Sequence, residues 1–255
     1  MSRRLFVALF LIVAGISWTA VAGEPARAEE PAVAEKPVVI AATFYPTSGY
    51  TVREIRGWRC YLAADLVADP PLCEETVELL NAQLYKVVRA LPTSVVEKLR
   101  TVKIWVQRRD PYVTSVCYHP SVEWLREHGV NPDKEKSVDI PCAEYFLTET
   151  HRQPMMILHE LTHAWHDQFL PDGYGNATAR EAFDMAVADG LYENALCNDG
   201  HIGKAYAVTN SMEYFAELSE AYFGENDFFP FVRIELERHD PKGCEMVRKL
   251  WTPDS

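Results

Sequence analysis

The feature that most constrains this chain is a predicted helix, residues 153–169, in which His159, Glu160 and His163 stand among apolar residues. The apolar neighbours lie on both sides of these three residues and are Met155, Met156, Ile157, Leu158, Ala164 and Trp165. A helix that is apolar on most of its surface is expected in the core, and buried imidazoles need polar partners. Because His159 and His163 are four residues apart, they share one helical face. The rest of the chain must therefore bring polar groups to that face.

This spacing allows the two imidazoles to bind one zinc ion at about 2.0–2.1 Å. Glu160 is rotated about 100° from His159, so it stays outside the coordination sphere but near a metal-bound water, where it can act as a general base. His166 points from the following turn, and we expect it to be solvated or to hydrogen-bond a ligand. The sequence thus predicts a zinc site whose third ligand comes from another element.

Three acidic residues further along the chain are candidates for that ligand: Glu181, Glu213 and Glu217. Glu213 and Glu217 lie four residues apart on a predicted helix that begins at Asn210, so they share a face. One could bind the metal while the other accepts the free N–H of a ligand histidine. The pattern favours Glu213 and leaves the other two open. The alternative is that Glu213 only caps its helix and Glu217 is a solvated surface residue.

Two motifs carry a resemblance to a known family. The sequence His-Glu-x-x-His at 159–163 and the sequence Tyr-x-x-Thr-Asn-x-x-Glu-Tyr-Phe-Ala-Glu at 206–217 resemble the gluzincin active site of the anthrax lethal factor catalytic domain and its relatives. The stretch from about residue 50 to 251 is also similar to a group of exported bacterial and fungal proteins classed as zinc metallopeptidases. The resemblance implies these roles: zinc ligands His159, His163 and Glu213; general base Glu160; support of a ligand histidine by Glu217; and a hydrogen bond from Tyr206 to the developing oxyanion.

The expected function is that of a zinc-dependent endopeptidase acting on a peptide or protein substrate. The resemblance also implies an edge strand that holds extended substrate, with 114–118 or 138–140 as candidates. The alternative is a non-catalytic exported binding module with a structural zinc, which normally has four protein ligands. Only three credible ligands stand out in the sequence. Hydrolysis of a non-peptide amide or ester would use the same residues.

The N-terminus predicts export. Residues 1–22 combine Arg3 and Arg4, an apolar run and an Ala-x-Ala site, which is typical of a signal peptide cleaved after Ala22, with Ala28 as a second possible site. The two arginines also resemble a twin-arginine signal, although the short basic region favours ordinary export. The mature protein is therefore expected to be secreted or periplasmic, without a membrane span. The full chain has a net charge of −12, which argues against a nucleic-acid partner.

The remaining chain is expected to comprise a disordered Ala/Pro/Glu-rich leader at 23–37 and one zincin-like domain at 38–255. Six cysteines in an exported protein allow up to three disulfides, with Cys60–Cys73, Cys117–Cys142 and Cys197–Cys244 as the simplest pairing.

Hydrophobic periodicity predicts an α+β domain with a small mixed sheet, the helix of the two histidines and a helical C-terminal half. Predicted helices cover 74–90, 121–127, 153–169, 178–196 and 210–224. The fourth of these is expected to begin with a capping box from Thr178 to Glu181. Predicted strands cover 101–107, 112–118, 138–140 and 144–147.

Overall fold

The computed structural model describes residues 44–111 and 113–252. The predicted signal peptide and leader lie outside the described residues. Within the described part of the chain, none of the helices is long and apolar enough to cross a membrane.

A five-stranded mixed sheet forms one side of the domain. Its strands are β1 (Tyr50–Ile55), β2 (Trp58–Ala63), β3 (Ile104–Val106), β4 (Cys117–His119) and β5 (Ser137–Ile140), in the spatial order β1-β2-β3-β5-β4. β1 and β2 form an antiparallel hairpin, β2, β3 and β5 are parallel, and β4 runs antiparallel to β5 at the edge. The inner strands β3 and β5 are buried along their whole length, as parallel strands covered on both faces usually are.

In the described part of the chain, ten helices pack around the sheet and build the C-terminal half. They are α1 (Ala64–Val67), α2 (Pro70–Ala90), α3 (Thr93–Leu99), α4 (Val122–Glu127), α5 (Ala143–Glu149), α6 (Met156–Phe169), α7 (Ala177–Ala188), α8 (Ser211–Phe223), α9 (Arg233–His239) and α10 (Pro241–Trp251). A short hairpin of β6 (Ala195–Leu196) and β7 (Ile202–Gly203) lies between α7 and α8. The predicted α+β class is confirmed.

Helix α6 occupies the centre of this domain, and its residues from Met156 to His166 are all buried. It contacts the sheet through β4 and β5 and packs along α8 on another side. The indole of Trp165 stacks on Trp251 of α10 at 5.5 Å between ring centroids and donates to the carbonyl of Leu250. Because this part of α6 is enclosed, its histidines and Glu160 face protein rather than bulk water.

The structure corrects three predictions about secondary structure. Residues 144–147 form part of α5 rather than a strand, because Ala143 and Phe146, three residues apart, are the ones that face the core. The cap of α7 is Asn176, whose side chain accepts the backbone N–H of Ala179, instead of the predicted Thr178–Glu181 capping box. That helix also ends at Ala188 rather than at residue 196, because the chain turns at Gly190 with a φ of 66°.

The six cysteines, at positions 60, 73, 117, 142, 197 and 244, are free thiols in the structure, so the predicted disulfide pairs are not formed there. Cys117 and Cys142 show the physical reason in one case. Cys117 is paired in register with Asp139, three residues before Cys142. Three residues of extended chain span about 10 Å, whereas a disulfide needs Cα atoms within about 7 Å of each other.

Candidate metal centre

The start of α8 is fixed by a side-chain cap that places Glu213 beside α6. The Asn210 carboxamide accepts the backbone N–H groups of Met212 and Glu213, each at 2.9 Å. Glu213 therefore sits in the first turn of α8, where the helix dipole stabilises a carboxylate. Asn210 caps the backbone of Glu213 while the Glu213 carboxylate reaches the two histidines of α6.

The three predicted ligands His159, His163 and Glu213 come together as a nearly equilateral triangle. The Nε2 atoms of His159 and His163 are 3.1 Å apart, and Glu213 Oε2 lies 3.1 Å from the first and 3.2 Å from the second. Ligands at about 2.1 Å from a tetrahedral zinc are about 3.4 Å from one another. The observed spacing is only a few tenths of an ångström tighter, so the three residues form a group that can hold a metal ion.

Charges in this cluster are strongly coupled. Burial disfavours a charged His159, but hydrogen bonds to Glu213 and Glu220 outweigh burial and hold the pKa of His159 well above its usual range. Burial would raise the pKa of Glu213, yet its hydrogen bonds with His159 and His163 lower that pKa far below the usual range. A positive charge at the histidines therefore stabilises the Glu213 carboxylate, and a bound cation supplies the same stabilisation.

Glu160 lies on α6 next to His159 and is 7% exposed. Burial raises its pKa, although the charges of His159 and His163 and a hydrogen bond from the Tyr118 backbone act in the opposite direction. A carboxylate with a raised pKa is suited to accept a proton near neutral pH. Tyr118 belongs to the edge strand β4, which contacts the helix that carries Glu160.

Tyr206 lies in a 3₁₀ turn, Tyr206–Val208, just before α8. Its hydroxyl donates to Glu213 Oε1 at 3.3 Å, and its ring centroid is 6.5 Å from that of His159. The side chain is 49% exposed, so its hydroxyl can leave Glu213 for a ligand arriving from solvent. Spacing alone gave no reason to select this tyrosine among the twelve in the chain; the family resemblance selected it.

The hydrogen bond that orients His159 goes to a residue that sequence reasoning missed. His159 Nδ1 donates to Glu220 Oε1 at 2.7 Å, whereas Glu217 Oε1, to which this role was assigned, lies 3.7 Å from the same nitrogen. Gln153 also donates to Glu220 Oε1 at 2.9 Å and so fixes that carboxylate. The signal was present in the sequence, since Glu220 follows Glu213 by seven residues and faces the same side of α8.

Behind His159 lies a group of buried acids with little compensating charge. Glu217 and Glu220 are at most 1% exposed, and one oxygen of each, Oε2, has no hydrogen-bond partner among the described residues. Burial and the charges of Glu220 and Asp227 raise the pKa of Glu217 well above its usual range. Burial and the charge of Glu220 raise the pKa of Asp227 to about 6, against the effect of Arg152, which is paired with it.

Two other candidates do not join the triangle. Glu181 is exposed on α7 and belongs to none of the metal-binding groups formed by the described residues. His166 was expected to be solvated or to contact a ligand; it is instead fully buried between the rings of Tyr174 and Phe215. Neither of its ring nitrogens has a partner among the described residues. Burial lowers its pKa to about 4, so His166 is neutral at pH 7.

Of the two predicted edge segments, the first is confirmed in part and the second is wrong. β4 (Cys117–His119) is at the edge of the sheet, whereas β5 lies inside it between β3 and β4. Comparison of the chain with protein-family models, with curated proteins and with solved structures finds no match in any of the three.

Proposed function

We propose that this protein is an exported zinc-dependent endopeptidase that hydrolyses peptide bonds with Glu160 as the general base. The observation that carries the proposal is the triangle of His159 Nε2, His163 Nε2 and Glu213 Oε2, with sides of 3.1–3.2 Å and a buried carboxylic acid beside it. This donor set is the one expected of a catalytic zinc, in which three protein ligands leave one position for water. The family resemblance of the two motif segments points the same way.

The choice of a divalent cation follows from donor chemistry and charge. Two imidazoles and one carboxylate suit zinc, since imidazole is a preferred ligand of that ion. The buried acids Glu217 and Glu220 lie behind His159 with no lysine or arginine paired to them among the described residues, and burial makes negative charge there costly without a nearby cation. A zinc ion at the triangle would compensate this charge through the ligand His159.

When bound, zinc lowers the pKa of its water to about 7 and polarises the carbonyl of the scissile bond. In the proposed reaction Glu160 accepts the proton of the attacking water and passes it to the departing amine. Tyr206 turns its hydroxyl from Glu213 to the developing oxyanion. Glu220 holds His159 in the tautomer that carries its proton on Nδ1 and leaves Nε2 free as a ligand.

The proposed substrate is an extended peptide that adds a strand to β4. Among the described strands, β4 pairs only with β5, so its outer edge is free of strand partners. Helix α6, which carries Glu160, contacts β4, so this edge lies near the proposed base. A peptide lying along β4 would therefore present its backbone carbonyls near the triangle.

The substitution Glu160→Gln tests the proposal. We expect peptide hydrolysis to fall by about 100- to 10,000-fold, because the proton acceptor is lost, while zinc content and the free energy of unfolding stay unchanged. The measurement is cleavage of a peptide library by purified protein, with zinc content determined on the same sample.

The exposed Glu97→Gln on α3 is the matched control and should keep full activity. Equal hydrolysis by the Glu160→Gln and Glu97→Gln variants would contradict the proposal. A zinc-loaded protein without hydrolytic activity on any peptide would favour the structural-zinc alternative, and hydrolysis confined to non-peptide esters or amides would exclude a peptidase.

A further inference from the structure

We propose that the β6–β7 hairpin carries a second metal site, formed by Cys197, Asp199 and His201, for a divalent cation of zinc type. These residues lie outside the triangle and take no part in the proposed hydrolysis. One ligand atom from each residue, a thiol sulphur, a carboxylate oxygen and an imidazole nitrogen, lies within 4.8 Å of the other two. Zinc binds sulphur and imidazole nitrogen well, whereas calcium and magnesium prefer oxygen ligands.

The backbone of the hairpin loop is folded so that the three side chains converge. Cys197 N donates to the carbonyl of His201 at 2.8 Å, and Gly200 N donates to the carbonyl of Cys197 at 2.9 Å. Gly200 has a φ of 92°, in the region that favours glycine. These bonds close a five-residue loop in which residues 197, 199 and 201 point to one side. The site is thus largely built before a cation arrives.

Asp199 is already paired with His201. His201 Nδ1 and Asp199 Oδ1 are 2.5 Å apart, and Asp199 Oδ1 also accepts the backbone N–H of His201 at 3.0 Å. A divalent cation that displaces the thiol proton would leave one thiolate and one carboxylate around two positive charges, so the site would be neutral.

Cys197 is 2% exposed, while the side chains of Asp199 and His201 are more than half exposed. The thiol therefore forms the floor of the site, and the other two ligands face solvent, from which a cation can enter. This mixture differs from a cluster of surface acids, because the buried sulphur gives selectivity for borderline and soft cations.

The hairpin is also connected by hydrogen bonds to the residues that orient His159. Asn198, inside the loop, donates its carboxamide to the carbonyl of Arg152 at 2.6 Å. Arg152 is followed by Gln153, which donates to Glu220, the carboxylate that orients His159. A cation bound at the loop would hold Asn198 in place and so stiffen this connection.

Loading the full chain with Co²⁺ under reducing conditions tests the site, with a readout independent of activity. A cobalt ion bound by a thiolate gives a ligand-to-metal charge-transfer absorption that a His, His, Glu site does not give. We expect the protein to bind two cobalt ions and to show this absorption. The Cys197→Ser variant should bind one ion and lose the absorption. The variant His201→Ala, in which an exposed ligand is removed, should bind the cobalt ion of the hairpin at least tenfold more weakly.

Two further variants separate this site from the triangle and from the other thiols. Glu213→Gln should weaken cobalt binding at the triangle while the thiolate absorption remains. The test of the hairpin site therefore stays valid even if the proposed peptidase function fails. Cys244→Ser is the matched control and should keep both ions.

Absence of the absorption in the wild-type protein, its survival in His201→Ala at unchanged affinity, or a thiol titration that finds Cys197 oxidised would each overturn the proposal. If Cys197→Ser fails to fold, His201→Ala and Asp199→Ala decide the question, because both side chains are exposed.

Discussion

Two buried polar networks flank α6, and they differ in charge balance. On the sheet side, Asp139 is fully buried and Lys134 Nζ lies 2.7 Å from its Oδ2, with His119 Nε2 at 3.1 Å from the same oxygen. Lys134 also donates to Gln107. On the α8 side, Glu213, Glu217 and Glu220 surround His159 with no lysine or arginine directly paired to any of the three in the described part of the chain.

The pKa shifts report the same difference. Burial would raise the pKa of Asp139, but the charge of Lys134 and the hydrogen bond from His119 lower it, so that acid stays ionised. Burial and acidic neighbours raise the pKa of Glu217 well above its usual range. A network that balances its own charge supports the fold, whereas one with surplus negative charge is suited to hold a cation.

The largest expected effect is on the stability of the charge-balanced network formed by Asp139, Lys134 and His119. Lys134→Met removes the partner of a buried carboxylate and should lower the free energy of unfolding by about 3–5 kcal/mol, measured by urea denaturation. Lys136→Met is the control, because Lys136 pairs with Asp167 at a side chain that is 41% exposed. That change should cost less than about 1 kcal/mol. Equal losses in the two variants would remove the distinction between the networks.

The next effect concerns metal binding by the network of Glu213, Glu217 and Glu220 around His159, which we call the unbalanced network. Glu213→Gln should weaken zinc binding by at least about 100-fold, or about 3 kcal/mol, since a charged ligand is lost. The metal-free protein should also lose stability, because the Glu213 carboxylate interacts favourably with His159 and His163. Competition with a chelator measures the affinity, and Glu181→Gln on the exposed face of α7 is the control. A similar loss in the Glu181→Gln variant would show that Glu213 is not a ligand.

A third prediction concerns His166, which has neither an acid nor a cation as a hydrogen-bonding partner among the described residues. Its folded pKa of about 4 is below the ordinary 6.5, so the unfolded chain binds more protons between these values. Stability is therefore complete above about pH 6.5 and falls as the pH drops toward 4, by about 2 kcal/mol between pH 7 and pH 5. His166→Leu should remove that part of the pH dependence. An unchanged slope of unfolding free energy against pH would show that His166 is not buried as a neutral group.

The smallest effect separates two acids of the unbalanced network. Glu220→Gln should weaken zinc binding by about tenfold, the low end of the range for losing a partner of a ligand histidine, because the amide oxygen can still accept from His159. Glu217→Gln should change zinc binding by less, since its carboxylate is 3.7 Å from that ring. A larger loss in the Glu217→Gln variant would restore the role that the sequence assigned to it.

Local patterns in the sequence predicted most of the site. The four-residue spacing of His159 and His163 requires a shared helical face, and the cap at Asn210 with Glu213 three residues later requires a helix start at that point. The structure agrees with both. The burial of His166 could not be predicted in this way, because it depends on Tyr174 and Phe215, which come from other segments.

The choice between Glu217 and Glu220 depended on tertiary structure as well. Both acids share the face of α8 that carries Glu213, and only the crossing of α8 over α6 decides which carboxylate reaches His159 Nδ1. The predicted Cys117–Cys142 disulfide is not formed for a related reason, since the register of β4 against β5 sets Cys117 opposite Asp139 rather than Cys142.

By itself, the sequence determined which residues share a helix face and which donor atoms that face offers, because periods of three to four residues fix side-chain direction within one element. Tertiary structure alone decided which faces meet, how deeply each acid is buried and hence which groups carry charge. Those outcomes depend on contacts between segments far apart in the chain, and burial by such contacts sets the cost of each charge.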